Sequence, residues 1–117
     1  MRRDDLYLSD IIEASDSAAA FLANIKEHEF VGNDLLRSAV LQKLMVIGEA
    51  AGRISAELRN RHPEIPWPEI VAFRNIAIHA YFSVKWPVVW AAATTDIPAL
   101  RSQIAEVLRA EAPGDTP

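Results

Sequence analysis

Arg74, Asn75, His79 and Tyr81 fall inside one eight-residue stretch, Arg74-Asn75-Ile76-Ala77-Ile78-His79-Ala80-Tyr81, whose other members are apolar. A permanent cation, an amide, a titratable imidazole and a phenol are more polar chemistry than such a segment needs in order to fold. Metal-free cleavage of an RNA phosphodiester requires one group to take the 2′-OH proton and one to protonate the leaving 5′-oxygen. It also requires a cation to stabilise the phosphorane-like transition state, and His and Arg are suited to these tasks. An imidazole with a reference pKa of about 6.5 can serve as acid or base near neutrality. One such histidine per chain leaves a proton-transfer partner missing, and a two-fold dimer would bring a second His79 and a second Arg74 into the same cleft. From spacing alone, a surface Arg–carboxylate pair and a hydrogen-bonded histidine at a helix end fit these residues equally well.

The elements that must position these groups are helical. Leu8, Ile11, Ser15, Ala18, Leu22 and Ile25 recur at spacings of three and four, which predicts a first helix over about Asp4 to Glu29. Asn33 is a good N-cap with Asp34 behind it, opening a second helix that runs to about Asn60. Its apolar line, Leu36, Val40, Leu44, Ile47, Ala51, Ile54 and Leu58, is widened by Ala39, Val46 and Ala50, so this helix should be covered on more than one side. Gly48, Gly52 and Ser55 share a face of it. Each glycine inside a helix costs about 1 kcal/mol relative to alanine, so another backbone, from the motif helix or from a dimer partner, is expected to approach there.

Pro63, Pro66 and Pro68 make a rigid connection, with Pro68 suited to the first position of a third helix over about Pro68 to His79. On that helix Asn75 and His79 are four residues apart and share a face. Arg74 lies roughly 140° around the axis from His79, and its long side chain would have to swing to reach the same cleft. His79 falls at the predicted helix end, where the dipole favours a protonated imidazole. A turn at Phe82-Ser83 leads to a fourth helix through Val89, Trp90, Ala93, Ile97, Leu100, Ile104 and Leu108, which Pro98 must kink or split near Asp96. Residues 1–112 are thus expected to form one domain, an all-α up-down bundle, and 113–117 a disordered tail.

Composition narrows the function class. The absence of cysteine removes disulfides, thiolate zinc sites and a cysteine nucleophile together. A net charge of −4 argues against coating nucleic acid through a basic surface. The charge is uneven: residues 1–30 carry three Lys/Arg against seven Asp/Glu, whereas 53–85 carry five against three. Any RNA contact should therefore be local. Asp4 and Asp5 follow the opening arginines with no apolar h-region, and no apolar run approaches the roughly 20 residues of a membrane helix, so a cytoplasmic location is expected.

Other polar residues have plain readings. Glu49 could contact the motif site, but Glu49, Arg53 and Glu57 at successive four-residue spacings read more simply as an ion-pair ladder on a helix surface. Asn75 is either an orienting group for His79 or phosphate, or an exposed helical asparagine. His28, His62 and His79 lack metal-ligand spacing, so no metal is expected. Trp67, Trp86 and Trp90 fit core packing better than base stacking.

The chain resembles the HepT family of toxins in the HEPN superfamily, whose signature R-x-x-x-x-H-x-Y is matched by Arg74, His79 and Tyr81. The flanking words agree: Ile47-Gly48-Glu49-Ala50-Ala51, Pro63-Glu64-Ile65-Pro66-Trp67, Arg74-Asn75-Ile76, His79-Ala80-Tyr81-Phe82, and Val89-Trp90 followed by Asp96-Ile97-Pro98. The resemblance implies a two-fold homodimer with a composite, cofactor-free and metal-independent ribonuclease site, in which Arg74 and His79 are catalytic and Asn75 supports them. It also implies a type VII toxin–antitoxin pair with an MntA-like nucleotidyltransferase that neutralises the toxin by transferring AMP from ATP to Tyr81. An inert helical module that binds such an enzyme and is modified by it is the alternative from another class.

Overall fold

The computed structural model describes residues 2–83 and 85–112, apart from the side chains of Arg2 and Tyr81, and it is helical without a strand among them. The long helices are α1 (Arg2–Phe21), α3 (Asp34–Arg53), α6 (Phe73–Ser83) and α8 (Ile97–Glu111). Between them stand the short helices α2 (Glu27–Val31), α4 (Ala56–Arg61), α5 (Trp67–Val71) and α7 (Trp86–Ala91), and a π-helical turn over Ala92–Asp96. The expected all-α bundle is what the chain forms. The proposed tail, 113–117, lies outside the described residues.

The core follows the apolar stripes. Leu8, Ile11, Ala14, Ala18 and Leu22 of α1 and its exit face Val40, Leu44, Ile47 and Ala51 of α3 and Leu100, Ile104 and Val107 of α8, all buried. Ser15 occupies the stripe because its hydroxyl donates to the Ile11 carbonyl at 2.7 Å, so it enters the core satisfied.

The first two predicted helices are shorter than their periodicity suggests. The first stops at Phe21 because Asn24 adopts φ 62°, a left-handed conformation that asparagine tolerates and that ends helices. The second is cut at Ile54-Ser55. There the Ser55 amide and hydroxyl donate to the two carboxylate oxygens of buried Asp4 at 2.9 and 2.6 Å, and Ser55 Oγ caps α4 by accepting from the Leu58 amide. The apolar line survives the break, since Ile54 and Leu58 remain buried.

The motif segment is also divided, with a turn at Ala72 between α5 and α6, and Trp67 rather than Pro68 opens α5. Phe82 and Ser83, expected as a turn, belong to α6. The break at Pro98 takes a specific form. An α-helix would direct the absent proline N–H and its ring at residue 94. The chain instead widens to π geometry, with the Ile97 amide donating to the Ala92 carbonyl, and resumes as α8.

Gly48 is where α3 meets the motif helix. A Cβ there would lie 2.6 Å from the Arg74 nitrogen, 2.7 Å from its Cβ and 3.0 Å from the Val71 carbonyl oxygen. The expected close approach is therefore made within the chain. Gly52 differs, since a Cβ there meets nothing within 4 Å, and Ser55 lies beyond the end of α3.

Candidate active site

Helix α6 carries all four motif residues and packs along α3 with Ala77 and Ala80 buried beneath it. Asn75 and His79 emerge together, as their spacing predicts, and line one side of a groove of about 440 Å³. Its remaining wall is Ala72, Ile76, Ala80, Ser83, Lys85 and Val88. The floor is apolar, and its polar groups are an amide, an imidazole, a hydroxyl and an ammonium. These can accept and donate protons and attract an anion, which is the equipment for holding a phosphodiester beside an acid–base group.

Arg74 is not among the described residues that wall this groove. It stands one position into α6 on the side facing α3, and its Nε lies 2.7 Å from Glu49 Oε1. The side chains are 53% and 41% exposed, so the pair sits at the surface with part of the guanidinium facing solvent. The cation and the imidazole of one chain therefore leave α6 in different directions, as the helical angle between them implies.

This pairing corrects the ladder reading of Glu49. Helix α3 ends at Arg53, which puts Glu57 on α4 and breaks the successive four-residue spacing on which the ladder depends. Glu49 instead reaches across to the motif helix. His79 also stands farther from a helix end than predicted, because α6 continues to Ser83. Tyr81 follows two residues later on α6, and its side chain is outside the described residues.

Two residues were not credited by sequence reasoning. Lys85 lines the groove from the connection after α6, where no periodic signal marks it. Glu49 is obscured in the sequence because Arg53, four residues on, offers a simpler partner than Arg74.

The other candidates are absorbed by packing. Trp67 is buried and donates from Nε1 to the His62 carbonyl at 3.0 Å. Trp86 and Trp90 pack on Phe30 with ring centroids 6.3 and 5.6 Å away, and the Arg37 guanidinium lies 4.8 Å from the Trp86 ring centroid. His62 contacts Glu111 at 2.6 Å, and Arg61 grips the same carboxylate through Nε and Nη2. Arg61 first, and then His62, hold the Glu111 carboxyl down to a pKa of about 2. That cluster ties the end of α8 to the end of α4.

A family model described as Ribonuclease HepT-like matches residues 11–107. The chain belongs to the HepT-like ribonuclease family. The matched span runs from α1 to near the end of α8 and contains the Arg74 to Tyr81 motif. Among relatives, the Methanocaldococcus jannaschii protein named "Putative RNase MJ1380" is 35% identical over 98 residues, 84% of this chain and 90% of that one. "Probable ribonuclease HepT" of Thermococcus cleftensis is 38% identical over 97 residues, 83% and 88% of the two chains. "Putative RNase TTE0752" of Caldanaerobacter subterraneus subsp. tengcongensis is 32% identical over 105 residues, 90% and 94%. No solved structure matches this HepT-like chain. No helix among its described residues is long and apolar enough to cross a membrane.

Proposed function

We propose that this HepT-like protein is a metal-independent endoribonuclease, the toxin of a toxin–antitoxin pair. The observation that carries the reading is the groove in which His79 and Asn75 stand side by side on α6. In this reading a His79 imidazole takes the 2′-OH proton while the 2′-oxygen attacks phosphorus. A second imidazole, in its protonated form, gives a proton to the 5′-oxygen as the P–O5′ bond breaks. The products are a 2′,3′-cyclic phosphate and a 5′-hydroxyl. Asn75 orients the imidazole or the phosphate, and Arg74 stabilises the extra negative charge of the transition state.

The divergence of Arg74 and His79 within one chain supports a two-fold homodimer as the active form. Paired motif helices would supply two imidazoles to one cleft and let the arginine of one subunit serve beside the histidine of the other. The second half of the reading concerns Tyr81. A nucleotidyltransferase of the MntA type would attach AMP when the phenol oxygen attacks the α-phosphorus of ATP, losing its proton and displacing pyrophosphate. Tyr81 lies about 200° around α6 from His79, so in this reading the adduct acts at the paired motif helices of the dimer, where its bulk and negative charge would exclude RNA.

Induced expression in a host lacking the antitoxin tests the reading. The wild type should arrest growth, and His79→Ala and Arg74→Ala should each abolish the arrest while remaining folded and dimeric. Arrest by both variants would contradict it.

A further inference from the structure

We propose that Glu49 is a positioning residue of this site, holding the Arg74 guanidinium by its inner edge so that the outer nitrogens meet the phosphate. The inference rests on the ribonuclease reading above and adds to it a residue from a different helix.

The first observation is where the two groups touch. The closest approach is from Glu49 Oε1 to Arg74 Nε, at 2.7 Å, while half of the arginine side chain stays exposed. A carboxylate at Nε occupies one edge of the guanidinium and leaves the end-on edge, Nη1 and Nη2, able to bind phosphate in bidentate fashion. The second observation is that the backbones beneath are fixed. Gly48, the residue before Glu49, lies so close to Arg74 that a Cβ would collide with its nitrogen and its own Cβ. With both main chains pinned, only the arginine rotamers are left to be decided, and the Glu49 carboxylate decides them.

Stability alone does not account for the pair. Surface ion pairs of this exposure contribute little. The arginine is also placed in the first turn of α6, where the helix dipole opposes a positive charge. A carboxylate beside it offsets that opposition and restricts a long, flexible side chain before substrate arrives, which is the preorganisation that transition-state stabilisation by a cation requires.

The test is single-turnover cleavage of a fluorogenic oligoribonucleotide by the purified full chain in excess, followed over a pH series. Glu49→Gln should lower the rate by about ten- to a hundred-fold, the scale expected when a catalytic group is misplaced. The pH–rate profile should keep its shape, and Glu49→Asp should recover part of the loss. In an Arg74→Ala background Glu49→Gln should change the rate by less than about two-fold, because a residue acting through Arg74 has nothing left to act on. Gly48→Ala, which leaves Glu49 intact and displaces Arg74, should reproduce the loss, and thermal melting should show each variant folded.

An equal fold-loss in the Arg74→Ala background would overturn the proposal by showing independent action. Disappearance of the acidic limb of the profile would also overturn it, since Glu49 would then be a proton-transfer group. A fully active Glu49→Gln would refute the positioning role while the ribonuclease reading stood. An inactive wild type would remove both.

Discussion

The backbone nitrogen of Arg74 sits where a side chain at Gly48 would have to be, with 2.6 Å between it and the position of a Cβ. Helix α3 and the motif helix are thus in near main-chain contact at the residue that begins the motif. The neighbours are backbone and a Cβ, which cannot move aside as the end of a flexible chain could.

Two opposed effects follow for the helical glycines. Alanine gains about 1 kcal/mol of helix propensity over glycine, whereas forcing an extra methyl into a packed contact costs about 1–3 kcal/mol. At Gly48 the second effect wins, so Gly48→Ala should lower stability in urea unfolding. At Gly52 nothing lies within 4 Å of the added methyl, so Gly52→Ala should raise stability by up to about 1 kcal/mol. A loss at Gly52 would mean that a second chain packs there.

Asp4 joins the start of α1 to the junction of α3 and α4. Its carboxylate is buried and receives both donors of Ser55. Asp4→Ala should cost about 1–3 kcal/mol by leaving those donors unpaired. Ser55→Ala should cost about 1 kcal/mol through loss of the α4 cap and more through the orphaned carboxylate. Chemical denaturation of the single and double variants would reveal the coupling as non-additive losses.

The acid range should be governed in part by Glu111. Its folded-state pKa of about 2 is below the ordinary 4.5, so the unfolded chain takes up its proton first. The stabilisation is complete above the unfolded value and is lost as pH falls from about 4.5 toward 2. Glu111→Gln should be less stable than wild type at neutral pH, with the difference closing in acid. Thermal melts at stepped pH values would show the convergence, and curves that stay parallel would contradict the assignment.

How far these features could be read from the sequence depended on the kind of signal. The stripes of α1, α3 and α8 were legible because burial repeats with the helical period, and the groove face of Asn75 and His79 follows from that period. The ends of helices were harder. Asn24 and Ser55 end helices through a left-handed backbone and a cap whose partner, Asp4, lies 51 residues away in sequence. The apolar line runs through the second break undisturbed, so periodicity alone cannot detect it. Pro98 announced a disruption near Asp96 but not that the chain would absorb it as a π turn. Glu49 was misread because Arg53 and Glu57 are its neighbours in sequence, whereas Arg74 becomes its neighbour only after α6 folds back onto α3 at Gly48.

The tyrosine can be tested apart from cleavage. Tyr81→Phe should keep ribonuclease activity, gain no mass on incubation with the cognate nucleotidyltransferase and ATP, and remain toxic when the two are co-expressed. Neutralisation of Tyr81→Phe to the wild-type extent would show that inhibition operates through binding or another acceptor.

The most direct measurement is cleavage of a mixed RNA pool in excess EDTA by unmodified wild type and by His79→Ala, with the product ends identified. The account predicts that the wild type cleaves and leaves 2′,3′-cyclic phosphates, and that His79→Ala, folded and dimeric, is slower by at least about a hundred-fold. Equal cleavage by the two proteins, or none by unmodified dimeric wild type, would contradict it.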